Sequence, residues 1–188
     1  MAGSSGKRTL RIIGGQWRGR KIHFPHNAQL RPTPDRVRET LFNWLMPVIQ
    51  GARCLDLFCG SGGLGLEALS RGAAQVVFVD SHKATVNSLQ NTCDMLGSTA
   101  AQIQLSDVRR FLAGTAQPFD VVFLDPPYAG DFLLPCIEQL QQGWLTAGAW
   151  VYLEHDGRLA SEALPADWQL HREKQAGQVC YALYHVGG

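Results

Sequence analysis

The chain has 188 residues, 45% of them hydrophobic, which is the size and apolar content of one domain with a sizeable core. No apolar run approaches the roughly 20 residues that cross a bilayer. Residues 1–6 are small and polar, without the apolar stretch of a secretory signal, so neither a spanning helix nor a signal segment is read here and a cytoplasmic protein is expected. The net charge of +1 hides an asymmetry: residues 1–40 hold nine Lys/Arg against two acids, and residues 41–188 hold eight against fourteen. A basic start on a mildly acidic body suits a polyanionic partner, although a solvated surface hairpin gives the same count.

Residues 1–7 read as a disordered tail and residues 8–30 as a basic β-hairpin arm. Leu10-Arg11-Ile12-Ile13 is strand-like, Gly14, Gly15 and Gly19 punctuate, and Lys21-Ile22-His23-Phe24 resumes the alternation. Arg8, Arg11, Arg18, Arg20 and Lys21 stud this hairpin around Trp17, and Arg31 and Arg36 follow it. Cations interleaved with an aromatic ring suit phosphate contacts and base stacking. Thr33-Pro34-Asp35 then reads as a helix start, with a capping hydroxyl, a proline at the first helical position and an acid in the first turn. Val37, Leu41, Trp44, Leu45 and Val48 share a helical face, and Pro47 and Gly51 end it.

From residue 53 onward strands and helices alternate. Strands are expected over 54–58, 75–79, 101–105, 119–124 and 149–154. Helices are expected over 64–71, from a Ser81 cap to Gly97, around Phe111 and Leu112, and over 132–141. Residues 168–174 and 178–186 face each other across Gln175-Ala176-Gly177 as an antiparallel hairpin. This order predicts an α/β fold, a doubly wound and mostly parallel seven-stranded sheet that ends in an antiparallel hairpin, over residues 31–188. The five cysteines are scattered with no C-x-x-C pair, so neither a zinc site nor a disulfide framework is indicated.

The first strand of the sheet runs into Asp56-Leu57-Phe58-Cys59-Gly60-Ser61-Gly62-Gly63-Leu64-Gly65. Gly60, Gly62 and Gly65 fit G-x-G-x-x-G, a loop that lets a ligand approach the backbone at a helix N-terminus. Asp80, at the end of the next strand, can accept from ribose hydroxyls. A dinucleotide and S-adenosylmethionine (SAM) fit equally well so far. Asp56 separates them, since it would repel a pyrophosphate but attract the ammonium and sulfonium of SAM. Its bland reading is a cap on the neighbouring helix. Asp107 ends the third strand, where it can accept from an adenine amino group or cap a helix.

Asp125-Pro126-Pro127-Tyr128 ends the fourth strand. The prolines fix φ and remove two donors, and Pro126 holds Asp125 extended. A planar ring bearing an NH2 group could rest on Tyr128 while donating to the Asp125 carboxylate and the Pro126 carbonyl. Four acids at or near the ends of the first four strands of the alternating part form a more specific signal than any one of them. As bland readings, Tyr128 is a rim tyrosine and Pro126-Pro127 a loop stiffener.

Asp56-x-Phe58-x-Gly60-x-Gly62 with Asp80, Asp107 and Asp-Pro-Pro-Tyr resembles the class I SAM-dependent methyltransferases that act on exocyclic amino nitrogens. Upstream, Arg11-Ile12-Ile13-Gly14-Gly15, Arg18-Gly19-Arg20 and Leu30-Arg31-Pro32-Thr33 are similar to the bacterial 16S rRNA (guanine-N2)-methyltransferases of the RsmD type. Gly65-Leu66-Glu67-Ala68-Leu69-Ser70-Arg71-Gly72 and Arg172-Glu173-Lys174-x-x-Gly177 extend the likeness over residues 10–184. The resemblance implies SAM as cofactor, no metal, and methyl transfer to N2 of a specific guanine in 16S rRNA during small-subunit assembly. It implies a partly assembled 30S subunit as partner, with no membrane and no obligate protein partner. It also implies cofactor contacts from Thr33, Asp56, Phe58, Gly60, Ser61, Gly62, Gly65, Asp80 and Asp107. Catalysis falls to Asp125, Pro126, Pro127 and Tyr128, and RNA contacts to Arg11, Trp17, Arg18, Arg20, Lys21, Arg31 and Arg36. Cys59 stands where alanine is more usual in the family. Adenine N6 in DNA or RNA and a protein glutamine also present an NH2 group, and the glycine loop alone would also fit an NAD-dependent oxidoreductase.

Overall fold

Strands buried on both faces read as near-continuous apolar runs, and the central strands here do so. The computed structural model describes residues 8–24, 32–127, 131–155, 157, 159 and 163–187. Strands β1 (Arg8–Arg11) and β2 (Lys21–Phe24) pair antiparallel in a small sheet of their own. Helix α1 (Asp35–Trp44) leads to β3 (Arg53–Leu57), α2 (Gly63–Ser70), β4 (Gln75–Asp80), α3 (Lys83–Leu96) and β5 (Ala101–Leu105). Then come α4 (Val108–Leu112), β6 (Phe119–Leu124), α5 (Leu133–Leu140), β7 (Leu145–His155), β8 (Trp168–Ala176) and β9 (Val179–Val186).

The large sheet has the order β5-β4-β3-β6-β7-β9-β8. All neighbours are parallel except at β9, which inserts antiparallel between β7 and β8. The chain builds outward from β3 to β5 and then returns to place β6 on the other side of β3. That reversal opens a crevice at the carboxyl ends of β3 and β6, where ligands bind in sheets of this kind. Leu57 and Leu124 are register partners, so Phe58 and Asp125 leave the sheet side by side. Leu124 is in turn the partner of Leu153, so Asp125 and Glu154 are neighbours too.

Two cores flank the sheet. One face packs Val76, Phe78, Phe123 and Tyr152 against α1, α2 and α3. The other packs Leu57, Val122 and Leu153 against α4 and α5. The first core also takes in Leu10, Ile12, Ile22 and Phe24, so the inward side of the small hairpin belongs to it, while Arg11, Arg18, Arg20 and Lys21 stay exposed.

The hairpin is fixed to α2 by polar contacts. The buried Glu67 accepts from the N–H groups of Ile13 (2.9 Å) and Gly14 (2.7 Å) and from Arg71 Nε (2.8 Å). Ser70 accepts from Trp17 N–H at its hydroxyl (2.9 Å) and from Gln16 N–H at its carbonyl (2.7 Å). Gly15 has φ +74°, and a Cβ there would collide with the Ser70 carbonyl. Gly15→Ala is therefore expected to loosen the hairpin and lower the melting temperature by about 4 °C or more. A thermal melt that matches wild type would refute this.

Two expected caps differ. Pro34 is the N-cap residue of α1 rather than its first helical residue, and the Thr33 hydroxyl is turned away from the helix. His82 is the N-cap of α3 in place of Ser81, because Asp80 Oδ1 already accepts from the His82 N–H (2.8 Å). Helix α1 ends at Trp44, before Pro47.

Candidate active site

The glycine loop is shaped by its acids. Asp56 is buried, and its Oδ2 accepts from Gly65 N–H (2.9 Å), the third residue of α2. A Cβ on Gly65 would collide with the Phe78 ring and come within 2.9 Å of Asp56 Oδ2, so this glycine seats α2 against β4. Asp80 Oδ2 accepts from Gly60 N–H (3.0 Å), which ties the loop to the end of β4. Gly60 (φ +50°) and Gly62 (φ +75°) take left-handed conformations, and Gly62 is the N-cap of α2. Ser61 and Gly60 line a narrow crevice beneath β2 together with Leu89 of α3.

Phe58 is the only described non-glycine residue with positive φ (+59°). Such a backbone costs of order 1–3 kcal/mol and persists where its surroundings over-determine it. Its ring meets Phe132 edge-on (5.5 Å between centroids), and the Arg109 guanidinium lies 4.9 Å over Phe132. Asp107 caps α4, with Oδ1 accepting from the N–H groups of Arg109 (2.9 Å) and Arg110 (3.2 Å), so Oδ2 remains for a ligand. Phe58, Phe132 and Asp107 thus bring flat apolar walls and an acceptor to one end of the sheet.

At the crevice centre, Asp125 Oδ2 faces the Thr33 hydroxyl at 3.5 Å. Burial first, then the charges of Glu154 and Asp56, raise the Asp125 pKa well above the usual carboxylate range. Burial likewise pushes Asp56 up to about 7. Glu154 is buried and accepts from the Tyr152 hydroxyl (2.7 Å), and burial raises its pKa too. The buried Arg38 guanidinium bonds the carbonyls of Thr33 (3.0 Å) and Arg11 (2.6 Å) and the Asp35 carboxylate (2.9 Å). It thereby ties the hairpin to the loop that reaches Asp125.

This donor set fits SAM. Carboxylates that burial makes reluctant to ionise are stabilised by an arriving cation, which SAM carries twice. A pyrophosphate would meet the same acids as repulsion, so the dinucleotide alternative does not fit. Among the described residues no cluster of three or more His, Cys, Asp or Glu could hold a metal ion.

The chain matches the family model described as conserved hypothetical protein 95 over residues 10–185. It is 49% identical over 181 residues to the ribosomal RNA small subunit methyltransferase D of Escherichia coli strain K12, covering 96% of this chain and 91% of that protein. The chain belongs to the ribosomal RNA small subunit methyltransferase D family. The Haemophilus influenzae protein of the same name is 43% identical over 183 residues, covering 95% and 94%. The solved structure of Escherichia coli yhhF is 46% identical and superposes with a TM-score of 0.88, covering 96% of this chain and 99% of that one. The seven-stranded sheet with its antiparallel end is therefore the class I methyltransferase fold, as the alternation of elements predicts.

Within this family frame, the structure gathers Thr33, Asp56, Phe58, the glycine loop, Asp80, Asp107, Asp125 and Pro126 at one end of the sheet. Pro126 is buried and Pro127 exposed. Arg11, Arg18, Arg20, Lys21 and Arg36 are exposed, Arg11 lying 3.9 Å from Asp35, while the Trp17 ring is partly buried against the core. Tyr128 and Arg31 lie outside the described residues. Sequence reasoning missed Glu154, although it follows an apolar run near the carboxyl end of its strand, as Asp80 and Asp125 do. It also missed Phe132 and Arg109, which no pattern marks.

Proposed function

We propose that the protein transfers a methyl group from SAM to the exocyclic N2 of a guanine in 16S rRNA, acting in the cytoplasm on a partly assembled small subunit. The observation that carries this reading is Asp125, a half-buried carboxylate of raised proton affinity that leaves β6 beside the glycine loop and is followed by two prolines. Family membership supports rRNA as the substrate.

Bound SAM supplies an electrophilic methyl on a sulfonium. Asp56 would offset the donor's positive charge, Asp80 would accept from its ribose, and Asp107 Oδ2 would accept from the adenine amino group beside the Phe58 and Phe132 rings. Guanine N2 is a poor nucleophile because its lone pair is delocalised into the ring. Asp125 and the Pro126 carbonyl accept from the NH2 group, favouring a tetrahedral nitrogen with its lone pair toward the methyl. The N2–H proton passes to Asp125, leaving the product nitrogen neutral. Tyr128 holds the extruded base by stacking, worth about 1–3 kcal/mol.

Mass spectrometry of nucleosides from 16S rRNA, in cells with and without the protein, tests the reading. Loss of N2-methylguanosine on deletion is expected, and an unchanged nucleoside profile refutes it. The exposed hairpin cations hold the RNA backbone. Replacing Arg18, Arg20 and Lys21 with Ala should lower the slope of log affinity against log salt by roughly 2–3. An unchanged slope would remove the hairpin from the RNA site.

A further inference from the structure

We infer that Glu154 is a positioning residue for methyl transfer, a buried carboxylate whose charge acts on the half-buried Asp125 beside it. This rests on the reading that Asp125 receives the N2 proton. Asp125 and Glu154 each lie one residue beyond the register pair Leu124 and Leu153, so they leave adjacent parallel strands side by side and on the same face. The Thr33 hydroxyl faces Asp125 Oδ2 at 3.5 Å, and it also favours the charged form of Glu154.

The two acids are not equivalent. Glu154 also receives the Tyr152 hydroxyl at 2.7 Å, whereas among the described residues Asp125 has only the long contact to Thr33. More and shorter donors place the negative charge on Glu154. A like charge next door then makes Asp125 the stronger base. The groups facing the pair are Asp56 from β3, Tyr152 from β7, Tyr181 opposite Glu154 on β9, and Arg38 from α1 behind the Thr33 carbonyl. The Arg38 charge is drawn to Asp35 and Glu67. His155, next along β7, points to the opposite face. No salt bridge reaches Glu154 among the described residues.

The balance is simple. The N–C bond forms as the donor's S–C bond breaks, the N2–H proton goes to Asp125, and the sulfonium and the Asp125 charge are both neutralised. Glu154 remains ionised throughout, supplying basicity without taking part in bonding.

Single-turnover methylation of an rRNA fragment, followed against pH, tests this. Wild-type activity falls on the acid side as Asp125 protonates. In Glu154→Gln, whose amide oxygen still accepts from Tyr152, that limb should move to lower pH by about one unit, with the plateau rate falling about tenfold. Glu154→Asp, which keeps the charge, should hold the limb in place. A Glu154→Gln limb at the wild-type pH overturns the inference. Carboxyl-13C titration of the wild-type protein reads the pair without any variant: two inflections at shared pH values in both resonances are expected, and one separate inflection in each overturns the coupling. Wild-type protein that methylates no rRNA would instead refute the proposed function, while the titration still decides whether the two acids are coupled.

Discussion

Asp125→Ala should reduce methyl transfer by about 10²–10³-fold or more, while SAM binds nearly as well as to wild type. The size follows from the double duty of the side chain. In the proposed mechanism it is an acceptor that shapes the amine, and it is the group that removes the proton once the N–C bond forms. Both interactions strengthen along the reaction, so their loss falls on kcat rather than on ground-state binding. In the proposed site the donor lies elsewhere, at the glycine loop and at Asp56, Asp80 and Asp107, none of which hydrogen-bonds Asp125. Single-turnover rates and calorimetry with SAM check the two halves separately. Activity within a few-fold of wild type would refute the acceptor role, and loss of SAM binding would move Asp125 into the donor site.

Asp56→Asn should weaken SAM binding at least tenfold at pH 8, a loss of about 1.4 kcal/mol, and yet stabilise the free protein at that pH. The sign follows from proton linkage. Burial raises the Asp56 pKa from 3.8 to about 7 in the folded chain. A carboxyl group raised on folding contributes stability that is full below the unfolded value and is lost as pH rises through the folded one. Between about pH 4 and pH 7 the free protein gives up that contribution and holds a buried charge at a cost. Asparagine keeps an oxygen for Gly65 N–H and removes the charge. Melts at pH 8 should therefore favour the variant, and melts near pH 4 should show little difference. A variant less stable at pH 8, or one that binds SAM normally, would contradict the assignment.

The strand-end acids were legible because buried parallel strands are apolar runs, in which one terminal carboxylate stands out. Glu154 obeys the same rule after Val151-Tyr152-Leu153 and could have been found by it. Thr33 and Ser81 look like caps because a hydroxyl ahead of a helix fits that pattern locally, whereas Pro34 and His82 take the N-cap positions without a side-chain hydrogen bond and the Thr33 hydroxyl turns to Asp125. The insertion of β9 between β7 and β8 has no local signature, since strand order at a sheet edge depends on how whole faces pack. The hairpin cations were readable from alternation alone. Its anchorage was not, because Glu67 looks like a solvated helix charge until α2 and the hairpin enclose it. The left-handed backbone at Phe58 is equally invisible in residue type.

The shared burial of the β1–β2 hairpin constrains how substrate choice can change. Leu10, Ile12, Ile22 and Phe24 lie in one core with α1, α2 and α3, and Glu67, Ser70 and Arg38 hold the hairpin backbone in place. An RNA reader joined by a tether could be exchanged between enzymes by cutting the tether. Here the surface proposed to grip the RNA backbone would have to be transplanted together with the helix that follows the glycine loop, so its grip is altered one outward side chain at a time rather than by trading modules.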